Sequence, residues 1–154
     1  MATTMDRKAV RHAVTRVLGL CVSVCATTIA LSGCSQEAEG LRNMSECSGV
    51  IFPEGSNTVW FDRDGGFNTW TSVAVVDIPR SSVDEFKQRS GFAPFAPGVP
   101  SSWKSYWDAT GMVDALANNA VNEHSAKDDK EPRRYVVIHD SGGETRRLFV
   151  RANC

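Results

Sequence analysis

The sequence predicts an α+β domain in which a small, mostly antiparallel sheet from two β-hairpins carries a helix on one face. Two observations lead to this fold class. Two pairs of segments rich in β-branched and aromatic residues are each joined by a glycine-containing turn, and a short segment with helix start and stop signals separates the pairs. Because 17 Lys and Arg balance 18 Asp and Glu, the chain lacks the basic excess of a nucleic-acid-binding surface, and no nucleic-acid partner is expected.

The first predicted hairpin joins residues 58–62 (TVWFD) to residues 68–78 (NTWTSVAVVDI). The turn signal between them is Asp64-Gly65-Gly66, and glycines of this kind adopt the backbone angles that tight turns need. Pro79 ends the second strand, because proline cannot donate to the hydrogen-bond ladder of a sheet.

The helix signals follow this hairpin directly. Ser82 and Glu85 have the spacing of a capping box, in which two side chains satisfy backbone N–H groups at the helix start. Val83 and Phe86 lie three residues apart and place one apolar stripe toward the sheet. Gly91 stands where helices often end in the left-handed conformation, so the helix is predicted between Ser82 and Gly91.

The stretch of residues 92–107 contains three prolines, which exclude a regular element over much of its length. Residues 101–109 can form one or two helical turns, and residues 112–122 are predicted as a second short helix. The charge run KDDKE at 127–131 is predicted as a solvated loop.

The second predicted hairpin pairs residues 133–140 with residues 144–151 around Ser141-Gly142-Gly143. Its register is ambiguous by one residue, and a slip of one residue exchanges the two faces of a strand. The sequence therefore leaves open which alternate side chains of residues 135–138 face the core.

The N-terminus is organised like a secretory signal. Four basic residues precede an uncharged apolar run over residues 17–31, which is shorter than the about 20 residues that a membrane-spanning helix needs. The next step in the chain is Leu31-Ser32-Gly33-Cys34. These four residues resemble the lipobox of bacterial lipoproteins, which reads Leu, then Ala or Ser, then Gly or Ala, then Cys.

This resemblance implies that the signal is cut before Cys34 and that a diacylglyceryl group is joined to the Cys34 thiol. The protein is then expected at the cell membrane, anchored through acyl chains to membrane lipid and facing outside the cytoplasm. The alternative is an uncleaved N-terminal anchor in which Cys34 is incidental. The chain accordingly divides into a signal peptide (1–33), a flexible tether without apolar periodicity (34–46) and a single extracytoplasmic α+β domain (47–154).

Two of the five cysteines, Cys21 and Cys25, leave with the signal, and Cys34 carries the lipid. Cys47 and Cys154 remain in a compartment where disulfides persist, so a bond between them is predicted. Chain-entropy estimates assign about 4–5 kcal/mol to a bond that closes so long a loop. Two free thiols are the alternative.

A second resemblance extends over residues 66–92. Its segments are Gly66-Phe67, Ile78-Pro79, Val83-Asp84-Glu85-Phe86 and Ser90-Gly91-Phe92. In these segments the chain is similar to small uncharacterised actinobacterial lipoproteins. The resemblance implies a fold and a location, and it assigns no activity and no site residue.

Three segments suggest chemistry but depart from the pattern that the chemistry requires. Residues 139–143 (HDSGG) are similar to the nucleophile segment of chymotrypsin-like proteases, but His replaces its first Gly and the residues suit a hairpin turn. Residues 62–65 (DRDG) begin like a calcium loop, but Val73 stands where an EF-hand has Glu. His124 and His139 have no metal-ligand spacing. We therefore expect no catalytic residue, no metal and no cofactor.

The candidate binding surface consists of Trp103, Tyr106 and Trp107. Trp and Tyr are enriched at interfaces, and loops bounded by prolines often carry function. The competing interpretation is that these rings cover an otherwise open face of the sheet.

These observations favour a lipid-anchored module that binds a cell-wall or protein partner, or has a structural role in the envelope, without catalysis. No nucleophile, base and orienting group occur together in the sequence. The alternative is a small envelope enzyme, or an inhibitor or immunity-type protein, that acts through the aromatic loop of residues 92–107.

Overall fold

In the part of the chain that the structure describes, six antiparallel strands and two α-helices form an α+β fold. The computed structural model describes residues 36–66, 69–92, 94–127 and 132–154, so the predicted signal peptide and Cys34 lie outside the described residues. The strands are Asn57–Gly65 (β1), Trp70–Pro79 (β2), Ala96–Pro97 (β3), Asn122–Lys127 (β4), Arg134–His139 (β5) and Thr145–Asn153 (β6). They form one sheet in the order β1-β2-β6-β5-β4-β3.

The helices are α1 (36–48) and α2 (Val83–Ser90). Helix α2 ends at Gly91, whose φ of 59° is left-handed as predicted. The predicted capping box is wrong, because the Ser82 side chain makes no capping hydrogen bond. Ser82 is the last residue of the 3₁₀ turn Arg80–Ser82, and its backbone therefore lacks the extended conformation of an N-cap residue.

The flexible tether predicted over residues 34–46 is wrong in the part that the structure describes, because residues 36–48 are helical. Met44 is fully buried in the core, and Leu41, about one turn earlier in the helix, packs against the same core. Residues Glu37–Cys154 form a compact unit. Helix α1 therefore belongs to the folded domain.

Charged residues stabilise α1 along its exposed side. The Arg42 guanidinium lies 3.9 Å from a carboxylate oxygen of Glu39 and 3.8 Å from one of Glu46, at the spacings that stabilise helices.

Gly40 allows close packing of α1 on the sheet, because a Cβ atom there would lie 2.5 Å from Cε1 of Phe61. The helix thus lies directly on the first strand of the sheet.

One face of the sheet, which we call the helical face, is covered by α1 and α2. Met44 of α1 and Phe86 of α2 are fully buried against it. The strand residues of this face that form the buried core are Ala74, Val76, Ile78, Val136, Ile138, Leu148, Val150 and Ala152.

The other face, which we call the 3₁₀ face, is covered by two 3₁₀ helices, Ser101–Thr110 and Val113–Leu116. Trp107 and Leu116 of these helices pack on strand residues Val75, Val137 and Phe149. Both faces of β5 are therefore buried. Val136 and Ile138 belong to the core on the helical face, and Val137 belongs to the core on the 3₁₀ face.

The segment after residue 112 differs from the predicted short helix. It forms the 3₁₀ turns Val113–Leu116 and Asn119–Val121 and then strand β4. The Asn122 side chain donates hydrogen bonds to the carbonyl oxygens of Ala115 (3.0 Å) and Asn118 (2.7 Å). Asparagine competes in this way for backbone groups and disfavours a continuous α-helix.

Candidate functional site

The 3₁₀ helix Ser101–Thr110 places the three predicted aromatic residues against the sheet. Trp107 is fully buried, and its ring centroid lies 6.0 Å from that of Phe149 in an edge-to-face contact. A fully buried ring cannot contact a ligand, so including Trp107 in the binding surface was wrong. Trp103 and Tyr106 are half-buried and reach the surface. Since they lie three residues apart, a 3₁₀ helix places them on one side.

Four half-buried rings meet at this point: Trp103, Tyr106, His124 and Tyr135. We call them the aromatic surface. The Trp103 ring centroid lies 5.0 Å from that of His124 and 5.2 Å from that of Tyr135, both edge-to-face. Tyr106 lies 5.2 Å from Tyr135 and stacks with Trp103 at 6.5 Å. These separations are within the range of favourable aromatic pairs, so the rings hold each other in place.

Arg151 borders the aromatic surface. Its guanidinium carbon lies 4.2 Å from the centroid of the Tyr106 ring, and a cation at this distance is attracted to the ring face. The Arg151 Nε is buried and has no hydrogen-bond partner among the residues that the structure describes. None of the ion pairs observed within the described ranges includes Arg151. The surface therefore has a cation that forms no ion pair with a carboxylate of the described residues.

The tautomer of His124 follows from its hydrogen bond. Nδ1 lies 2.8 Å from the carbonyl oxygen of Gly98. A carbonyl oxygen only accepts, so Nδ1 carries the hydrogen, and Nε2 of the neutral ring is an acceptor. Gly98 has a φ of 79°, a conformation that favours glycine and that brings its carbonyl to the histidine.

A row of polar side chains crosses the 3₁₀ face beside the aromatic surface. It runs through four paired strands: Asp77, Arg147, His139 and Asn122. Arg147 donates two hydrogen bonds to the Asp77 carboxylate, each 2.8 Å long. This bidentate contact raises the pKa of Arg147 and keeps its charge in place.

The neighbours of His139, the histidine of this row, determine which ring nitrogen carries the hydrogen and in which direction its pKa is shifted. Both Asn122 amide hydrogens are used by backbone carbonyls, so the Asn122 oxygen faces His139 Nδ1 at 3.0 Å and accepts from it. Burial and the nearby Arg147 charge lower the pKa of His139, while Asp140 opposes them. The row links strands β2, β6, β5 and β4 to the 3₁₀ cover, which is a structural role.

The disulfide between Cys47 and Cys154 is present, with Cα atoms 5.9 Å apart. It joins α1 to the chain just after β6. Cys154 also donates its backbone N–H to the carbonyl of Trp70 at 2.7 Å, so the disulfide lies beside the start of β2. Helix α1 is thereby attached covalently to the sheet.

The segments that the sequence compared with catalytic motifs have structural contacts. Asp140 accepts from the backbone N–H of Gly142 at 2.8 Å and pairs with Arg146 at 2.8 Å, as a residue of a hairpin turn does. Residues 62–65 lie in strand β1 rather than in a loop. The contacts of these segments do not resemble a catalytic triad or a calcium loop.

Sequence reasoning missed three members of the site: His124, Tyr135 and Arg151. Tyr135 and Arg151 are directly paired on β5 and β6, and each is flanked on its strand by two buried residues. The missing information was the register of the second hairpin, since only the register places these two side chains on the face that carries Trp103.

Within the described ranges, no three His, Cys, Asp or Glu side chains are arranged to hold a metal ion. The same ranges contain no helix with the length and apolar character for crossing a membrane. Comparison with protein-family models, with curated proteins and with solved structures finds no match to this chain.

Proposed function

We propose that this protein is a lipid-anchored lipoprotein, outside the cytoplasm, that binds a cell-wall or protein partner without catalysis. The observation that carries the proposal is Leu31-Ser32-Gly33-Cys34 at the end of an uncharged apolar run. The small residues before Cys34 give a signal peptidase access to the backbone. The Cys34 thiol is the nucleophile that takes up the lipid.

The disulfide supports the location. Bonds of this kind persist in oxidising compartments and are rare in the cytosol, where thiols stay reduced. Cys47 and Cys154 are bonded to each other, so Cys34 has no disulfide partner among the described residues and is left for the lipid.

The aromatic surface supports a binding role. In this proposal the hairpins β1–β2 and β5–β6, with a helix packed on one face, are the rigid scaffold, and Trp103 and Tyr106 contact the partner. Rings that are already packed against each other lose little conformational freedom on binding, which favours affinity.

The position of α1 is compatible with both roles. Residue 36 is already helical close behind Cys34, and α1 lies on the helical face. The aromatic surface lies on the 3₁₀ face. The helix that leads from the lipid therefore does not cover the rings that bind the partner.

Intact-mass measurement of the protein extracted from membranes tests the proposal. We expect the mass of residues 34–154 with a diacylglyceryl group, and a gain of about two protons on reduction of the disulfide. A Cys34→Ser variant is the control, and it should keep the signal and lack the lipid. An unmodified full-length mass for the wild type would contradict the anchoring mechanism. Turnover of an ester, peptide or glycan that a single point variant abolishes would contradict the non-catalytic role.

A further inference from the structure

We infer that the aromatic surface binds the sugar rings of an anionic polysaccharide and that Arg151 binds a carboxylate of that polymer. The inference rests on the proposed function, because it names the partner of the same surface. His124, Tyr135 and Arg151 stand on the adjacent strands β4, β5 and β6, which spans about 10 Å at the usual strand spacing. This width accommodates a short oligosaccharide.

The rings favour a carbohydrate. Trp103 and Tyr106 are half-buried, and their ring planes are nearly parallel, with an interplanar angle of 22°, so their mutual packing fixes the orientation of both rings. Sugar rings have apolar C–H faces that pack on such surfaces and hydroxyl groups at their edges. In the neutral His124 ring, Nε2 is an acceptor for a hydroxyl donor, because Nδ1 donates to Gly98.

The charge favours a carboxylate. Arg151 has no ion pair among the described residues, and Tyr106 holds its guanidinium in place at 4.2 Å. A guanidinium binds a carboxylate through two parallel hydrogen bonds. Because the stacking on Tyr106 has already restricted this side chain, little further freedom is lost when the anion binds. An acidic peptide could also pair with Arg151, but it would not present flat apolar ring faces to Trp103 and Tyr106.

The test uses the full lipidated chain in detergent and three soluble polymers. Polygalacturonate carries carboxylates on sugar rings, dextran carries sugar rings without charge, and poly-L-glutamate carries carboxylates without sugar rings. Titration calorimetry should give the tightest binding to polygalacturonate, by about tenfold or more over either other polymer. Arg151→Gln should reduce binding of polygalacturonate to the level of dextran, and Trp103→Ala should weaken both glycans.

Arg63→Gln is the matched control. Arg63 also lies over an aromatic ring, the indole of Trp70, at 4.1 Å, but on the edge strand β1, away from the aromatic surface. This variant should bind like the wild type. If Arg151→Gln lowers the melting temperature, the salt dependence of wild-type binding decides instead, since the polygalacturonate preference should disappear as salt is raised.

Three results would overturn the inference: no binding of polygalacturonate, equal binding of poly-L-glutamate, or an unchanged preference in Arg151→Gln. These outcomes are distinct from failure of the proposed function. A correctly lipidated protein that does not bind polygalacturonate refutes the polysaccharide assignment alone, whereas an unlipidated full-length mass refutes the anchoring whatever the polymer result.

Discussion

Removal of the disulfide should cost a large part of the stability of the domain. Cys47 and Cys154 are separated by 107 residues, and the chain-entropy relation for a loop of this length gives about 4.8 kcal/mol at 25 °C. The net stability of a small domain is about 5–15 kcal/mol. A Cys47→Ala, Cys154→Ala double variant is therefore expected to lose about a third or more of this stability, because its unfolded state regains the freedom that the closed loop removes.

Urea unfolding of the wild type and the double variant measures this loss. We expect the midpoint to fall while far-UV circular dichroism at zero urea stays native, because Met44 still holds α1 on the sheet. Wild-type protein unfolded with and without reductant is the control, and reduction should reproduce the double variant. A loss below about 1.5 kcal/mol would refute the reasoning, since it would show that closing the loop hardly constrains the unfolded chain.

Three further changes test the packing and the polar row. Gly40→Ala should destabilise by about 1–3 kcal/mol in urea unfolding despite the better helix propensity of Ala, because the added Cβ meets the Phe61 ring at 2.5 Å; an unchanged midpoint would contradict the close approach. A double-mutant cycle of Asp77→Asn and Arg147→Gln should give a coupling of about 1 kcal/mol, and additive effects would mean that the bidentate pair contributes nothing. Stability should fall as the pH is lowered from 7 through 6.5, because the lowered pKa of His139 means that the unfolded chain takes up the proton first. His139→Gln should weaken this dependence, and an identical pH profile would contradict it.

The strands with strong local signals could be predicted from the sequence. Val and Thr residues around Ala74, the Gly-rich turns and the left-handed Gly91 all act over short distances, so β1, β2, α2, β5 and β6 are found close to their predicted positions. Strand β4 carries few β-branched or aromatic residues (NEHSAK). It pairs along its whole length with β5, so the tertiary structure rather than local propensity decides its conformation.

Helix α1 shows a different limit. Leu41, Met44 and Ser48 repeat at helical spacing, and Ser48 is buried with its hydroxyl bonded to the Met44 carbonyl. With so few apolar residues, this stripe was too weak to be distinguished from a polar linker. The disulfide to Cys154 and the close packing of Gly40 on Phe61 supply the stabilisation that the segment lacks on its own. Both are contacts with residues that are distant in the sequence.

The burial of Trp107 illustrates why a candidate site is harder to predict than a fold. Trp103 and Trp107 have the same chemistry and lie on one short segment, yet only Trp107 inserts over Phe149. The difference comes from the 3₁₀ geometry, which places residues three apart on one side and turns the next residue inward. An α-helix would have placed residues 103 and 107 on the same side.

The bond between Cys47 and Cys154 makes most of the domain a covalent ring. A protease that cuts once within this ring, for example at the exposed turn of Gly142 and Gly143, produces two fragments that remain connected through the sulfur atoms. A nicked molecule therefore keeps its mass, apart from one added water, until it is reduced. Release of the whole domain therefore requires a cut before Cys47, whereas reduction of a nicked molecule frees only the fragment that follows the nick.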